Sequence, residues 1–216
     1  CEMNPAAGRT KFIKKPERKN RKHLKEDELG GFLLALEEDE GNPLINLLVK
    51  LAMHTFLRPG EVRAAKWEEI DEANAMWTIP AERMKKNTAD MQRQPHLVPL
   101  SKQALAIIKE IRKLSSDSDF LFPGKSRHNK PLSDVAIIKA VKRLSDGKAT
   151  PHGFRHTAST ILNEQGFPRH VIDKQMSHVD RNKVRAVYNK AEYLEDRKNL
   201  MQSWANHLSN KLQSAA

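Results

Sequence analysis

The sequence predicts a mainly α-helical domain carrying one small three-stranded antiparallel β-sheet, an α+β arrangement. Two observations lead there. Apolar residues recur at three- and four-residue spacing through most of the chain, the pattern of helices with one buried face. Between about Lys66 and Leu100 the texture changes to three short strand-like segments, with Pro80 and Pro99 at strand ends.

The elements follow in order. Residues 1–22 hold Pro, Gly, Asn and charge without a period and read as a linker. Glu26–Glu38 is amphipathic. Asn42 and Pro43 open a second helix with Leu44, Leu47, Leu48, Leu51 and Ala52 on one face. A short helix at Arg58–Ala65 stands behind Pro59. Strands are expected at Trp67–Asp71, Met76–Ile79 and His96–Leu100, and the polar run Glu82–Pro95 reads as a flexible hairpin loop by composition. The helical period returns at Lys102–Leu114 (Ala104, Ile107, Ile108, Ile111) and at Ser133–Leu144 (Ile137, Ile138, Val141). It continues at Pro151–Gln165, at Arg169–Met176, around Val184–Tyr188 and in a C-terminal helix from about Tyr193 to Leu208. Repeats and low-complexity segments are absent. The expected layout is a linker at 1–22, one domain at 23–210 and a tail at 211–216.

At 216 residues with 38% hydrophobic content the chain can build one sizeable core. Its single cysteine, Cys1, excludes an internal disulfide and suits a reducing compartment. A first residue other than Met suggests a fragment or a processed chain. No apolar run approaches the roughly 18 residues of a membrane span, so the chain is expected to be soluble and intracellular. The formal charge of +11 and pI near 9.8 point to a polyanion, most simply nucleic acid. Residues 1–25 hold nine Lys/Arg against Glu2 and Glu17, so +7 of the +11 lies there. A solvated basic linker explains that run equally well. Aromatic residues do not interleave it, which argues against a platform for stacking single-stranded bases.

The chemistry centres on Pro151-His152-Gly153-Phe154-Arg155-His156-Thr157. Thr150 can cap a helix there, Pro151 suits its first position, and residues 154, 158, 161 and 162 continue as an apolar stripe. His152 and Arg155, three apart, then share a face beside free backbone N–H groups. A proton-transfer group and a bidentate cation at one place outline a phosphate site. Tyr188 supplies a possible nucleophile further along. Two other readings use the same residues. His152 and His156 stand four apart, as zinc ligands can, but Gly153 occupies the place of the metalloprotease Glu and no third ligand motif is present. Residues 158–178 also have the outline of a helix-turn-helix, turning at Gln165-Gly166-Phe167-Pro168. That makes a non-catalytic DNA-binding regulator and leaves Arg58, Lys85 and Tyr188 unexplained.

Five motifs occur in order: Thr55-Phe56-Leu57-Arg58-Pro59-Gly60-Glu61-Val62, the strand pair around Met84-Lys85, the His152-to-Thr157 run, Met176-Ser177-His178, and Tyr188. From about residue 5 to 209 the chain resembles the catalytic domain of the tyrosine recombinases, specifically phage-type integrases of prophages and genomic islands. The resemblance implies that family's catalytic-domain fold and site-specific cleavage and rejoining of DNA. Tyr188 becomes the nucleophile that forms a 3′-phosphotyrosyl link and releases a 5′ hydroxyl, with Tyr193 its rival at the start of the last helix. Arg58 and Arg155 become the phosphate clamp, a role for which the planar guanidinium is suited; surface ion pairing is the plain alternative. Glu61, one turn after Arg58, could orient an arginine or cap its own helix. His152 is implied as general base or proton shuttle and His178 as a hydrogen-bond donor to the phosphate. Lys85 is implied as the acid for the leaving oxygen, with Lys86 open beside it and DNA-backbone contact the alternative for both.

The phosphotyrosyl link conserves bond energy, so neither ATP, a metal nor any other cofactor is implied. The implied partners are double-stranded DNA attachment sites, a homotetramer in the synaptic complex, and accessory proteins that bend DNA or set direction. The C-terminal segment Tyr193–Asn210 is implied to dock on a neighbour. No membrane is involved, and the implied location is the bacterial cytoplasm at the nucleoid. The family normally has further DNA-binding domains ahead of this one, leaving 1–22 as an interdomain linker. The nearest enzymatic alternative is a type IB topoisomerase, which shares the chemistry but rejoins the same strand.

Overall fold

The computed structural model describes residues 22–84, 94–124, 127–178 and 192–216. A 3₁₀ turn at Glu26–Glu28 leads into α1 (Leu29–Glu37), followed by α2 (Pro43–Thr55) and α3 (Pro59–Arg63). Three strands come next: β1 (Ile70–Asp71), β2 (Met76–Ile79) and β3 (His96–Pro99). Then come α4 (Lys102–Ser115), a hairpin of β4 (Pro123–Gly124) and β5 (Arg127–Pro131), and α5 (Asp134–Leu144). The last elements are α6 (Gly153–Glu164), α7 (Arg169–Gln175) and α8 (Leu194–Gln213).

Local chemistry sets several starts. Asn42 Oδ1 accepts from the Leu44 and Ile45 N–H groups at 3.0 and 3.2 Å, with Pro43 at the first helical position, so α2 begins where the sequence says. Ser101 Oγ does the same for α4 through Ala104 N at 3.2 Å. The sheet runs β1-β2-β3, antiparallel throughout, with Trp77 opposite both Ile70 and Val98. Trp77, Ile79 and Val98 point inward and are fully buried. The indole N–H of Trp77 donates to Glu69 at 3.0 Å, and burial pushes the Glu69 carboxyl up despite that bond and nearby Arg83.

The helices pack around α2 and α8. Leu48, Leu51, Met53, Leu200, Trp204 and Leu208 are all buried. Trp204 donates its indole N–H to Met53 O at 2.8 Å and meets the Phe56 ring edge-on. Thus one face of α8 packs on its own domain. It also continues past Leu208 to Gln213, because Lys211 reaches Glu26 at 3.0 Å and Leu212 still packs on the core. Gly30 permits this close approach: a Cβ there would press on Lys211 O.

Three expectations shift. The helix of the His152–Thr157 run starts at Gly153, not Pro151. Thr150 Oγ1 does accept from Gly153 N at 3.1 Å, but Thr150 itself is tied back to Lys22 O, so residues 150–152 form a turn ahead of the helix. The expected first strand is mostly a 3₁₀ turn, Trp67–Glu69, with two paired residues after it. The β4–β5 hairpin was not expected: it is short and polar and has no apolar alternation to betray it. The expected helix around Val184–Tyr188 and most of the Glu82–Pro95 loop lie outside the described residues.

Candidate active site

Two backbone turns and two short helices bring the basic side chains together. Arg155 projects from the first turn of α6 and is 3% exposed. Its Nη1 donates to Phe56 O at 2.8 Å and its Nη2 to Met176 O at 2.7 Å. Phe56 ends α2 in the left-handed region (φ 37°), turning the chain so that its carbonyl meets α6. Arg58, two residues on, sits at the N-terminus of α3. Its Nη2 donates to Ser177 O at 3.2 Å and its Nη1 to Glu61 Oε1 at 2.8 Å. The two guanidiniums are therefore held by consecutive carbonyls of one turn.

That turn is the C-terminus of α7, and its form explains the convergence. His178 N donates to Asp173 O at 2.9 Å and Ser177 N to Lys174 O at 3.0 Å, the paired bonds of a Schellman cap. Ser177 occupies the left-handed position (φ 50°), where glycine is usual. The reversal turns the Met176 and Ser177 carbonyls toward the arginines. It also delivers His178, whose Nε2 lies 3.4 Å from Arg155 Nη2 and whose Nδ1 lies 2.9 Å from Asp173 Oδ1. A carboxylate on Nδ1 fixes the tautomer with Nδ1 protonated, leaving Nε2 as the atom facing the clamp.

Glu61 does both things its position allowed. Oε2 accepts from Arg58 N at 3.0 Å, capping α3, while Oε1 holds the Arg58 guanidinium. Arg155 is held by two carbonyls and an imidazole. Burial, then the charge of Arg58, lowers its pKa to about 10, with Glu61 acting in the opposite sense. It remains a cation at neutral pH. The two guanidiniums share the carboxylate of Glu61, while that of Asp173 is taken by His178, so the arginine N–H groups stand together as a fixed array of cationic donors suited to an oxyanion.

Of the residues expected at the site, Arg58, Arg155 and His178 meet. His152 caps α6 one turn before Arg155 and is half-buried, its carbonyl accepting from Arg155 N at 3.3 Å. His156 points elsewhere: its ring packs edge-on to His23 at 4.1 Å. Lys85, Lys86 and Tyr188 lie outside the described residues. Tyr193 begins α8, its ring 4.7 Å from that of His170. Asp173 and the Ser177 backbone were missed by sequence reasoning. Asp173 sits five residues before His178, a spacing that joins side chains only across a Schellman end, and nothing local announces that end without glycine.

A helical body with this small antiparallel sheet is the catalytic-domain fold of tyrosine recombinases. It matches the Tn1549 transposon integrase solved in complex with transposon right end DNA, with a TM-score of 0.64 at 16% identity over 95% of this chain and 73% of that one. The XerH site-specific recombinase bound to difH substrate gives 0.59 at 20% identity over 82% of this chain and 52% of that one. In sequence, residues 22–195 match the model of the phage integrase family, and the chain belongs to that family. Prophage integrase IntA of Escherichia coli strain K12 is 38% identical over 202 residues, covering 93% of this chain and 48% of the relative. The integrase of Shigella phage Sf6 is 32% identical over 214 residues, covering 98% and 54%. This chain thus spans about half the length of these curated relatives.

Proposed function

We propose that this chain is the catalytic domain of a site-specific DNA recombinase that integrates or excises a mobile element through a 3′-phosphotyrosyl intermediate. The observation that carries this reading is the convergence of Arg58, Arg155 and His178 at the turn that ends α7, inside a phage integrase fold. Arg58 and Arg155 hold the non-bridging oxygens of the scissile phosphate, and His178, in the doubly protonated form whose Nδ1–H is held by Asp173, donates from Nε2. Tyr188 attacks in line: its Oη–P bond forms as the P–O5′ bond breaks. His152 takes the phenolic proton and Lys85 gives a proton to the departing 5′ oxygen. A 5′ hydroxyl from the partner strand reverses the step. Positioned acid–base groups contribute roughly 10²–10⁴ in rate.

The formal charge of +11 suits double-stranded attachment-site DNA, and the structures of DNA-bound recombinases with this fold support that partner. Residues 23–213 form the catalytic unit, since α8 runs through Gln213, and 1–22 form the basic linker toward further DNA-binding domains. The working assembly is a homotetramer on two duplexes, assisted by DNA-bending or directionality proteins, at the bacterial nucleoid. No helix among the described residues is long and apolar enough to cross a membrane.

The test is covalent trapping on a nicked duplex carrying the element's attachment core, using wild type, Tyr188→Phe and Tyr193→Phe. We expect an adduct on a denaturing gel that only Tyr188→Phe abolishes. An adduct that survives Tyr188→Phe overturns the assignment of the nucleophile. Relaxation of supercoils without recombinants between two marked sites would point instead to the type IB topoisomerase activity.

A further inference from the structure

Behind the clamp lies a buried polar cluster that none of the roles above uses. Arg197, in the first turn of α8, is fully buried. Its Nε and Nη2 both donate to Gln175 Oε1, at 3.0 and 2.8 Å. Nη2 also donates to Leu97 O on β3, and Nη1 to Glu192 O at 3.3 Å. Next to Leu97, the buried His96 donates from Nε2 to Gln175 O at 3.0 Å. Gln175 is thus gripped by side chain from α8 and by backbone from β3. The two residues after it, Met176 and Ser177, supply the carbonyls that hold Arg155 and Arg58.

We propose that Arg197, acting through Gln175, is a positioning residue for the phosphate clamp; the proposal rests on the recombinase reading. The geometry forms a chain of direct contacts from Arg197 to Gln175, then to the Schellman turn and the two guanidiniums. Arg197 also binds Glu192, and residues 179–191 between the turn and Glu192 include Tyr188. One side chain therefore ties down the phosphate-holding turn and the far anchor of the nucleophile's segment. A core-filling role alone does not require a guanidinium. An apolar side chain of similar volume in place of a buried charge network is often neutral or stabilising, whereas a fork making four hydrogen bonds to three acceptors fixes a geometry. Displacing reacting groups by about 1 Å can cost about 10²-fold in rate.

The experiment compares wild type, Arg197→Met, Arg197→Lys and Leu208→Ala, the last a buried α8 position away from the cluster. Three quantities are read: single-turnover adduct formation on the nicked core duplex at saturating protein, Kd for the same duplex, and the ¹⁵N–¹H side-chain signals of Arg58 and Arg155 in the DNA-free protein. For Arg197→Met we expect adduct formation to fall by about 10²-fold with Kd within about twofold, and the Arg58 and Arg155 signals to move. Arg197→Lys recovers part of the rate. Leu208→Ala lowers Tm yet leaves rate and signals near wild type. Equal rate losses for Arg197→Met and Leu208→Ala, or unmoved Arg58 and Arg155 signals in Arg197→Met, overturn the proposal. If wild type itself forms no adduct, the side-chain signals alone decide whether Arg197 positions the clamp.

Discussion

At Arg155 both arms of the guanidinium fork are held: two carbonyls from different turns accept from its two Nη atoms, with an imidazole in reach. A lysine offers a point charge on a flexible stem and cannot span both carbonyls. Arg155→Lys should therefore lower adduct formation by about 10²–10³-fold, the scale of losing one preorganised donor to an oxyanion. Near-normal trapping in that variant would remove Arg155 from the clamp. Glu61→Gln tests a second residue. It keeps the cap on Arg58 N but loses the ion pair, so we expect a smaller fall, about tenfold, with Tm lowered by no more than a few degrees. Arg58, Arg155 and His178, which meet in the structure, could be named from the sequence, Arg155 within its own motif and the other two through the family resemblance. Asp173, Gln175 and Arg197 could not. Each acts through a partner that folding alone brings near, and a buried arginine 22 residues from its glutamine has no local pattern.

Elements were legible where periodicity and caps agreed and illegible where backbone geometry decided. The capped starts of α2 and α4 and the register-setting Trp77 follow from residue type. The β4–β5 hairpin and the start of α6 do not, since the first lacks apolar alternation and the second is set by the tether from Thr150 to Lys22 O. The Schellman end of α7 is the element on which the site turns. Ser177 holds a positive φ without glycine's freedom, so Ser177→Gly should keep the geometry and raise stability by up to about 1 kcal/mol. Ser177→Val, β-branched at the same φ, should cost about 1–3 kcal/mol and displace both carbonyls. Thermal unfolding of the two variants checks the pair, and a Val variant as stable as the Gly variant would contradict the strained turn.

Over the whole molecule two electrostatic consequences follow. Charge of +11 makes binding to duplex DNA a counterion-release reaction, so Kd should weaken about tenfold or more between 50 and 200 mM salt. A flat salt response would argue against phosphate contacts as the main source of affinity. Acid should also destabilise the fold. Burial, then Arg197, holds the His96 pKa down at about 3, and burial lowers His54, His156 and His207 as well. Between the ordinary histidine value near 6.5 and about 3, the unfolded chain binds a proton at position 96 that the native state refuses. Stability from this group is therefore full above about pH 6.5 and declines as pH falls. By pH 4 the decline amounts to up to about 3 kcal/mol. Tm measured from pH 7.5 to 4.5 should drop, and His96→Gln should flatten the slope; an unchanged slope would remove His96 as a source.

The entry of the chain into the domain adds a mechanical consequence. Lys22 O accepts from Thr150 N and Oγ1, Leu24 O accepts from Thr157 Oγ1, and Gly153 leaves no room for a Cβ beneath them. Those anchor points bracket Arg155 on either side along α6. Tension arriving at residue 22 is borne first by Thr150 and by the helix that carries Arg155.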